Sequence, residues 1–159
     1  MSHLIYLTLE GSQQGLISSG CSTFDSIGNR YQSGHEDQIQ VLGLSHSITR
    51  EDNIAHHPIQ LTKPIDKSSP LLGMSITSNE KLTASFFFYR TNSAGQLEIF
   101  YELKLIDARI VDVSSSYPHS INSNEALPYE IVRLKYKSIE WSHKTAGTSG
   151  YSIWNDDCE

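Results

Sequence analysis

Apolar and polar positions alternate residue by residue along most of the chain, which puts successive side chains on opposite faces of an extended strand. The first such run, Leu4-Ile5-Tyr6-Leu7-Thr8-Leu9, is ended by Gly11. The next, Gln38-Ile39-Gln40-Val41-Leu42-Gly43-Leu44, changes its apolar face between Val41 and Leu42, which predicts a bulge. The strongest local pattern is a hairpin. Leu82-Thr83-Ala84-Ser85-Phe86-Phe87-Phe88-Tyr89-Arg90 runs into the turn residues Thr91-Asn92-Ser93-Ala94-Gly95 and returns from Gln96 to Leu105. On the return strand Leu97, Ile99, Tyr101, Leu103 and Leu105 share one face, while Gln96, Glu98, Phe100, Glu102 and Lys104 share the other. One face is therefore expected in the core and the other in water. A strand over residues 108–113 leads into a Ser/Asn/Pro-rich loop over 114–124, and residues 129–141 read as the last long strand.

One segment departs from the strand period. Around residues 67–75, Ser68 or Ser69 can cap a short helix, Pro70 can occupy its first turn, and Leu71, Leu72 and Met74 supply an apolar side. Roughly eight strands and one short helix, with no repeat and no composition break, predict a single mainly β domain over residues 1–159. The expected form is an antiparallel β-barrel of two packed sheets, closed or nearly closed, with the helix flanking it; a two-sheet sandwich is the alternative. Ile48-Thr49-Arg50-Glu51-Asp52-Asn53-Ile54-Ala55-His56-His57 is too polar and too long for a tight turn and lies between two strands, so a projecting loop is expected there.

A chain of 159 residues with 38% apolar and 19% charged positions is long enough and apolar enough for one core. A net charge of -6 and a pI near 5.6 weigh against phosphate backbones and anionic lipid as partners, since both demand clustered Lys and Arg. No apolar run reaches the length of a membrane helix, and Met1-Ser2-His3-Leu4-Ile5-Tyr6 lacks the charged and apolar parts of a signal peptide, so synthesis and folding in the cytoplasm are expected. Cys21 and Cys158 lie far apart with no second ligand pair beside either, and free thiols are expected.

The search for chemistry yields little. Of the seven histidines, His56 and His57 are adjacent and point apart, and His35 begins His-Glu-Asp without a second histidine four positions on. Ser78-Asn79-Glu80-Lys81 has a Ser-x-x-Lys form but none of the accompanying motifs, and Gly147-Thr148-Ser149-Gly150 lacks the second glycine position of a nucleophile elbow and reads as a turning segment. Glu36, Asp37, Glu51 and Asp52 read as solvated carboxylates. No catalytic, metal or cofactor constellation is expected.

A set of strings does stand out by order and spacing. These are Ile5-Tyr6-Leu7-Thr8-Leu9-Glu10-Gly11 with Gln14-Gly15, then Gly28-Asn29, Gly34-His35-Glu36-Asp37, Leu44-Ser45-His46, and Lys63-Pro64-Ile65-Asp66-Lys67-Ser68-Ser69-Pro70-Leu71-Leu72. They continue through Phe88-Tyr89-Arg90, Gly95, Glu98-Ile99-Phe100-Tyr101, Pro118, Glu130, Tyr136, Ile139-Glu140-Trp141-Ser142-His143 and Ala146-Gly147-Thr148. Together they resemble the haemolysin-coregulated protein (Hcp) family, the tube proteins of bacterial type VI secretion systems. The stretches 15–24 and 152–159 carry no family string.

The resemblance implies a non-enzymatic subunit that forms hexameric rings, which stack into a tube inside a contractile sheath. Contraction expels the tube, with spike protein and secreted effectors as further partners and the extracellular space or a target cell as its destination. Two segments are then candidates for ring-to-ring contact: the run from Ile48 to His57 given above, and the tail from Ala146 to Glu159, where Tyr151 and Trp154 are large aromatics in a polar stretch. The competing expectation is a free-standing ligand- or peptide-binding β-barrel with Phe87, Phe100 and Tyr101 as its aromatic platform. A toxic domain carried behind the barrel is disfavoured, because the sequence ends at Glu159, soon after Trp141.

Overall fold

The computed structural model describes residues 4–119, 121 and 127–154. Among them the chain forms β1 (Leu4–Gly11), β2 (Gly15–Leu16), α1 (Phe24–Ile27), a 3-10 turn (Gly28–Arg30), β3 (Ile39–Val41), β4 (Gly43–Ser45), β5 (Ile48–Arg50), β6 (Ile54–His56) and β7 (Ile59–Pro64). Then follow α2 (Ser69–Ser78), β8 (Leu82–Thr91), β9 (Leu97–Ser116), β10 (Tyr129–Lys135), β11 (Ser138–His143) and β12 (Thr148–Ile153). The main sheet has the order β2-β1-β8-β9-β10-β7-β4, with β3 on β1, β11 on β9 and β12 on β11, while β5 and β6 pair only with each other. Every ladder is antiparallel.

The β8–β9 hairpin forms where the alternation predicts it. Asn92 builds its turn, accepting from the Ala94 and Gln96 N–H groups through Oδ1 at 2.9 and 3.0 Å, and Gly95 takes the positive φ of 82° that the reversal requires. The return strand, however, is not one continuous alternation. Phe88 pairs with Tyr101 and Tyr89 with Ile99, so Phe100 is an extra, unpaired residue. This bulge puts Ile99 on the face opposite Tyr101, and Leu97 and Ile99 end 46% and 36% exposed while Leu103 and Leu105 are buried. A second bulge, where Leu82 meets Ala108 and Ala84 meets Leu105, holds Asp107 at φ 51°. It divides the long strand into a half that pairs β8 and β11 and a half that pairs β10.

The core lies on one face of this sheet. Leu7 and Leu9 of β1, Phe86 of β8, Leu103 and Leu105 of β9, Val132 and Leu134 of β10 and Ile139 of β11 pack with Leu72 of α2 and with Ile17 and Cys21 of the loop after β2. The face change between Val41 and Leu42 is more than a bulge. Ile39–Val41 pairs with β1 and Gly43–Ser45 with β7, so the chain crosses from one end of the sheet to the other at Leu42, whose N–H donates to Thr62 O at 2.7 Å. Among the described residues no ladder closes the ring, so the expected closed barrel is here an open sheet whose two ends this one segment bridges.

Three further expectations change. Among the described residues there are two α-helices, not one, because residues 24–27 make an additional single turn that buries Ile27. Residues 129–141 form two strands, since β10 lies on β7 and on the far half of β9 whereas β11 lies on its near half; Tyr136 and Lys137 make the step. Of Gly147 to Gly150, expected to turn, Gly147 does so at φ 76°, while Thr148, Ser149 and Gly150 already belong to strand β12. Helix α2 starts as predicted with Pro70 in its first turn, but the Ser68 hydroxyl binds Asp66 instead of capping. The loop over 114–124 lies partly outside the described residues, as does Cys158.

Candidate functional site

The run from Ile48 to His57 is a β-hairpin and not an irregular loop. Ile48 pairs with His56, Thr49 with Ala55 and Arg50 with Ile54, leaving Glu51, Asp52 and Asn53 as an exposed tip. Pairing of the two legs, in which Ile48, Thr49 and Ile54 are β-branched, satisfies backbone groups that a polar loop would leave to water. Its base is tied down. His46 precedes the first leg and His56 closes the second, and His46 Nε2 and His56 Nδ1 each lie 2.8 Å from the Tyr136 hydroxyl. His56 is only 7% exposed; its Nε2 is 3.0 Å from Ser152 Oγ, and Trp154 stacks on its ring at 5.7 Å. His57 points away, as adjacency predicts, and pairs with Thr49 Oγ1 at 2.9 Å.

The two candidate segments therefore meet, because His56 and Trp154 share one aromatic cluster with Tyr136. Trp154 is thereby a packing residue and not a free contact, and Lys135 Nζ sits 5.1 Å from its ring centre. Tyr151 stays separate and 73% exposed, on a polar sheet face with Glu140 and Lys104. That face holds a shallow depression of about 640 Å³ lined by Glu102, Lys104, Glu140, Lys144 and Tyr151, with Lys144 paired to Glu102 at 2.9 Å. Phe87, Phe100 and Tyr101 do not form one platform. Phe87 pairs with Glu102 and Tyr101 with Phe88, which places Phe87 and Tyr101 on opposite faces, and Phe100 lies under the Arg90 guanidinium at 4.7 Å.

Two buried polar clusters are not predicted as such from the sequence, although Lys63, Asp66, Ser69 and Glu130 of the first and Gln14 of the second stand in the family strings. Lys63, fully buried, contacts Glu130 Oε1 and lies 3.0 Å from Asp66 Oδ1, while Ser69 Oγ donates to Glu130 at 2.8 Å. These groups clamp α2 to β7 and β10. Cys21 borders them, and burial, then the Asp66 charge, push its thiol up to about 12, which makes it inert as a nucleophile. Glu80, also buried, accepts from the N–H groups of Gln13 and Gln14 at 2.7 Å each, from Gln14 Nε2 at 2.7 Å and from Ser75 Oγ at 2.8 Å. A Cβ on Gly11 would stand 2.2 Å from Glu80 Oε2, so only glycine fits there. Ser78 and Lys81 of the same string are both exposed, Ser78 at the helix end and Lys81 beyond it, with no shared site. His35 is a packing residue too, stacked on Tyr6 at 4.0 Å.

Among the described residues no group of three or more His, Cys, Asp or Glu could hold a metal ion, and no helix is long and apolar enough to cross a membrane. The arrangement is that of a mainly β scaffold whose distinctive features are surfaces: a protruding hairpin, an open strand edge and a polar sheet face. Residues 6–143 match the family described as "Type VI secretion system effector, Hcp", and the chain belongs to the Hcp family. That family is one of structural secretion proteins and not of enzymes. The chain is similar to the "Major exported protein" of Pseudomonas aeruginosa, at 40% identity over 94% of each chain. It is 42% identical to the uncharacterised protein YhhZ of Escherichia coli K12, of which it spans only 37%. A crystal structure of an Hcp protein superimposes with a TM-score of 0.92 at 36% identity, covering 98% of this chain and 99% of that one. A secreted Hcp protein of Pseudomonas aeruginosa gives 0.88 at 40% identity, over 98% and 100%.

Proposed function

We propose that this chain is the subunit of a type VI secretion inner tube. Copies associate into hexameric rings, rings stack, and contraction of a surrounding sheath expels the tube, with spike protein at its tip and effectors carried in the bore. The observation that carries this reading is the agreement along 98% of the chain with a solved Hcp fold at a TM-score of 0.92. Export of the chain follows in the same reading from its likeness to a protein named for being exported. Within it the sheet acts as a barrel whose closure is supplied by residues 39–45.

The surfaces available for assembly support it. Strand β12 pairs with β11 alone among the described residues and so has an open edge, and the far end of the β8–β9 hairpin exposes Leu97 and Ile99. The β5–β6 hairpin, with its charged tip, is assigned to the contact between rings, and Tyr151 on β12 to the neighbouring surface. Each copy carries a net charge of -6, so stacking opposes repulsion that salt screens over about 8 Å. Light scattering on the purified protein at low and high salt, followed by negative-stain imaging, tests the reading. A hexamer mass with ring-shaped particles is expected, and longer stacks at high salt; a monomer under all conditions would refute it.

A further inference from the structure

His46 and His56 stand at the two legs of the β5–β6 hairpin and share a single hydroxyl, each with a ring nitrogen 2.8 Å from Tyr136 Oη. A phenol has one proton to give, so one ring must accept that proton on a bare nitrogen while the other donates an N–H to Oη. The second nitrogen of His56 lies 3.0 Å from Ser152 Oγ, with the Ile153 backbone beside the ring. A donor on that side leaves Nδ1 of His56 bare and makes it the acceptor. Whichever ring accepts, the chain of hydrogen bonds is complete only while that ring is neutral.

We infer that the β5–β6 hairpin is a pH-responsive element, held to the body of the protein by a neutral His–Tyr–His clamp and released when the accepting histidine is protonated. Protonation puts a donor where an acceptor is needed, so the Tyr136 hydroxyl loses its acceptor and two donors face each other inside the clamp. The titratable or charged groups around the pair are each other, Tyr136, the nearby His57 whose ring points away to Thr49, and, across the indole, Lys135. All except the phenol are cationic when protonated, so none favours a charged ring. Burial first, then the neighbouring histidines, hold both His46 and His56 below the ordinary value of 6.5, while the Ile153 backbone offsets part of this for His56. Burial also raises the Tyr136 phenol, which stays a neutral hydroxyl throughout. With both folded values depressed, the clamp is complete above about pH 6.5 and is lost as pH falls through them. The inference does not depend on the hairpin making the contact between rings.

Hydrogen exchange of the full chain, read by mass spectrometry and corrected for intrinsic rates, tests it. Between about pH 7.5 and about pH 5, amides of residues 48–56 should lose about tenfold in protection while those of β8 and β9 keep theirs. Equal protection of the hairpin at both values, or a loss spread across β8 and β9, would overturn the inference. In the double variant His46→Asn/His56→Asn the step should vanish; a step that survives there would also overturn it. The wild-type comparison decides by itself, so the inference does not rest on how that variant folds.

Discussion

Two regions attach a small element to the same sheet with polar groups, and they do so in opposite ways. Helix α2 is anchored by full charges sealed from water, the ammonium of Lys63 among the carboxylates of Glu130 and Asp66, with serine hydroxyls supplying further bonds. The β5–β6 hairpin is anchored near the surface by neutral rings around the Tyr136 hydroxyl. A buried charge cannot be left without its partner except at a cost of several kcal/mol, so the first anchor is fixed. Neutral imidazoles change charge near physiological pH, so the second can be released.

The comparison breaks most visibly if the sealed charges can be removed cheaply. Lys63→Met leaves two buried carboxylates without their cation and should cost about 3–5 kcal/mol in urea denaturation. A loss below about 1 kcal/mol would mean that the cluster holds water or exchanges protons freely, and the distinction between the anchors would fall. Glu80 extends the same logic to the β1–β2 turn. Burial alone would push its carboxyl up, but the bonds from Gln14, Gln13 and Ser75 outweigh it and hold the group below 4.5. Its contribution is therefore present above about pH 4.5 and lost as pH falls. Glu80→Gln should cost about 2 kcal/mol at neutral pH, and the difference from wild type should shrink in acid.

On the other side of the comparison Tyr136→Phe keeps the ring packing and removes only the shared hydroxyl. It should cost about 1 kcal/mol in global unfolding, with the loss of exchange protection concentrated in residues 48–56. A uniform loss over the whole sheet would show that Tyr136 supports the core and not the hairpin.

What alternation can and cannot convey explains which parts of this were legible beforehand. The strands at Leu4–Gly11 and Leu82–Thr91, the Asn92-to-Gly95 turn and the start of α2 follow from local pattern, because each depends on residues next to one another in sequence. Alternation reports which side chains share a face but not which strand lies beside them. The crossing at Leu42, the step at Tyr136 and Lys137 and the pairing of β12 with β11 were therefore hidden. A buried Lys63 or Glu80 has the same letter as a solvated one, and only the fold distinguishes them. The likeness to Hcp proteins identified the molecule, while the role of His56 as a clamp needed Tyr136, Ser152 and Trp154, brought from far along the chain.

The smallest expected effect is also the one that tests the bulge at Phe100. If the alternation ran unbroken to the turn, Leu97 and Ile99 would face the core with Leu103, and replacing them would open cavities. With Phe100 unpaired, they lie on the opposite face and are 46% and 36% exposed. Leu97→Ser and Ile99→Ser should therefore each shift unfolding by no more than about 0.5 kcal/mol, against about 2–5 kcal/mol for Leu103→Ala. The measurement belongs at a protein concentration where wild type and variants share one mass, since exposed apolar positions can stabilise a ring without stabilising its subunit. An unchanged subunit with a lowered oligomer mass would, under the proposed ring assembly, assign Leu97 and Ile99 to the contact between neighbours. A subunit destabilised as strongly as Leu103→Ala would place them in the core and remove the bulge from the account.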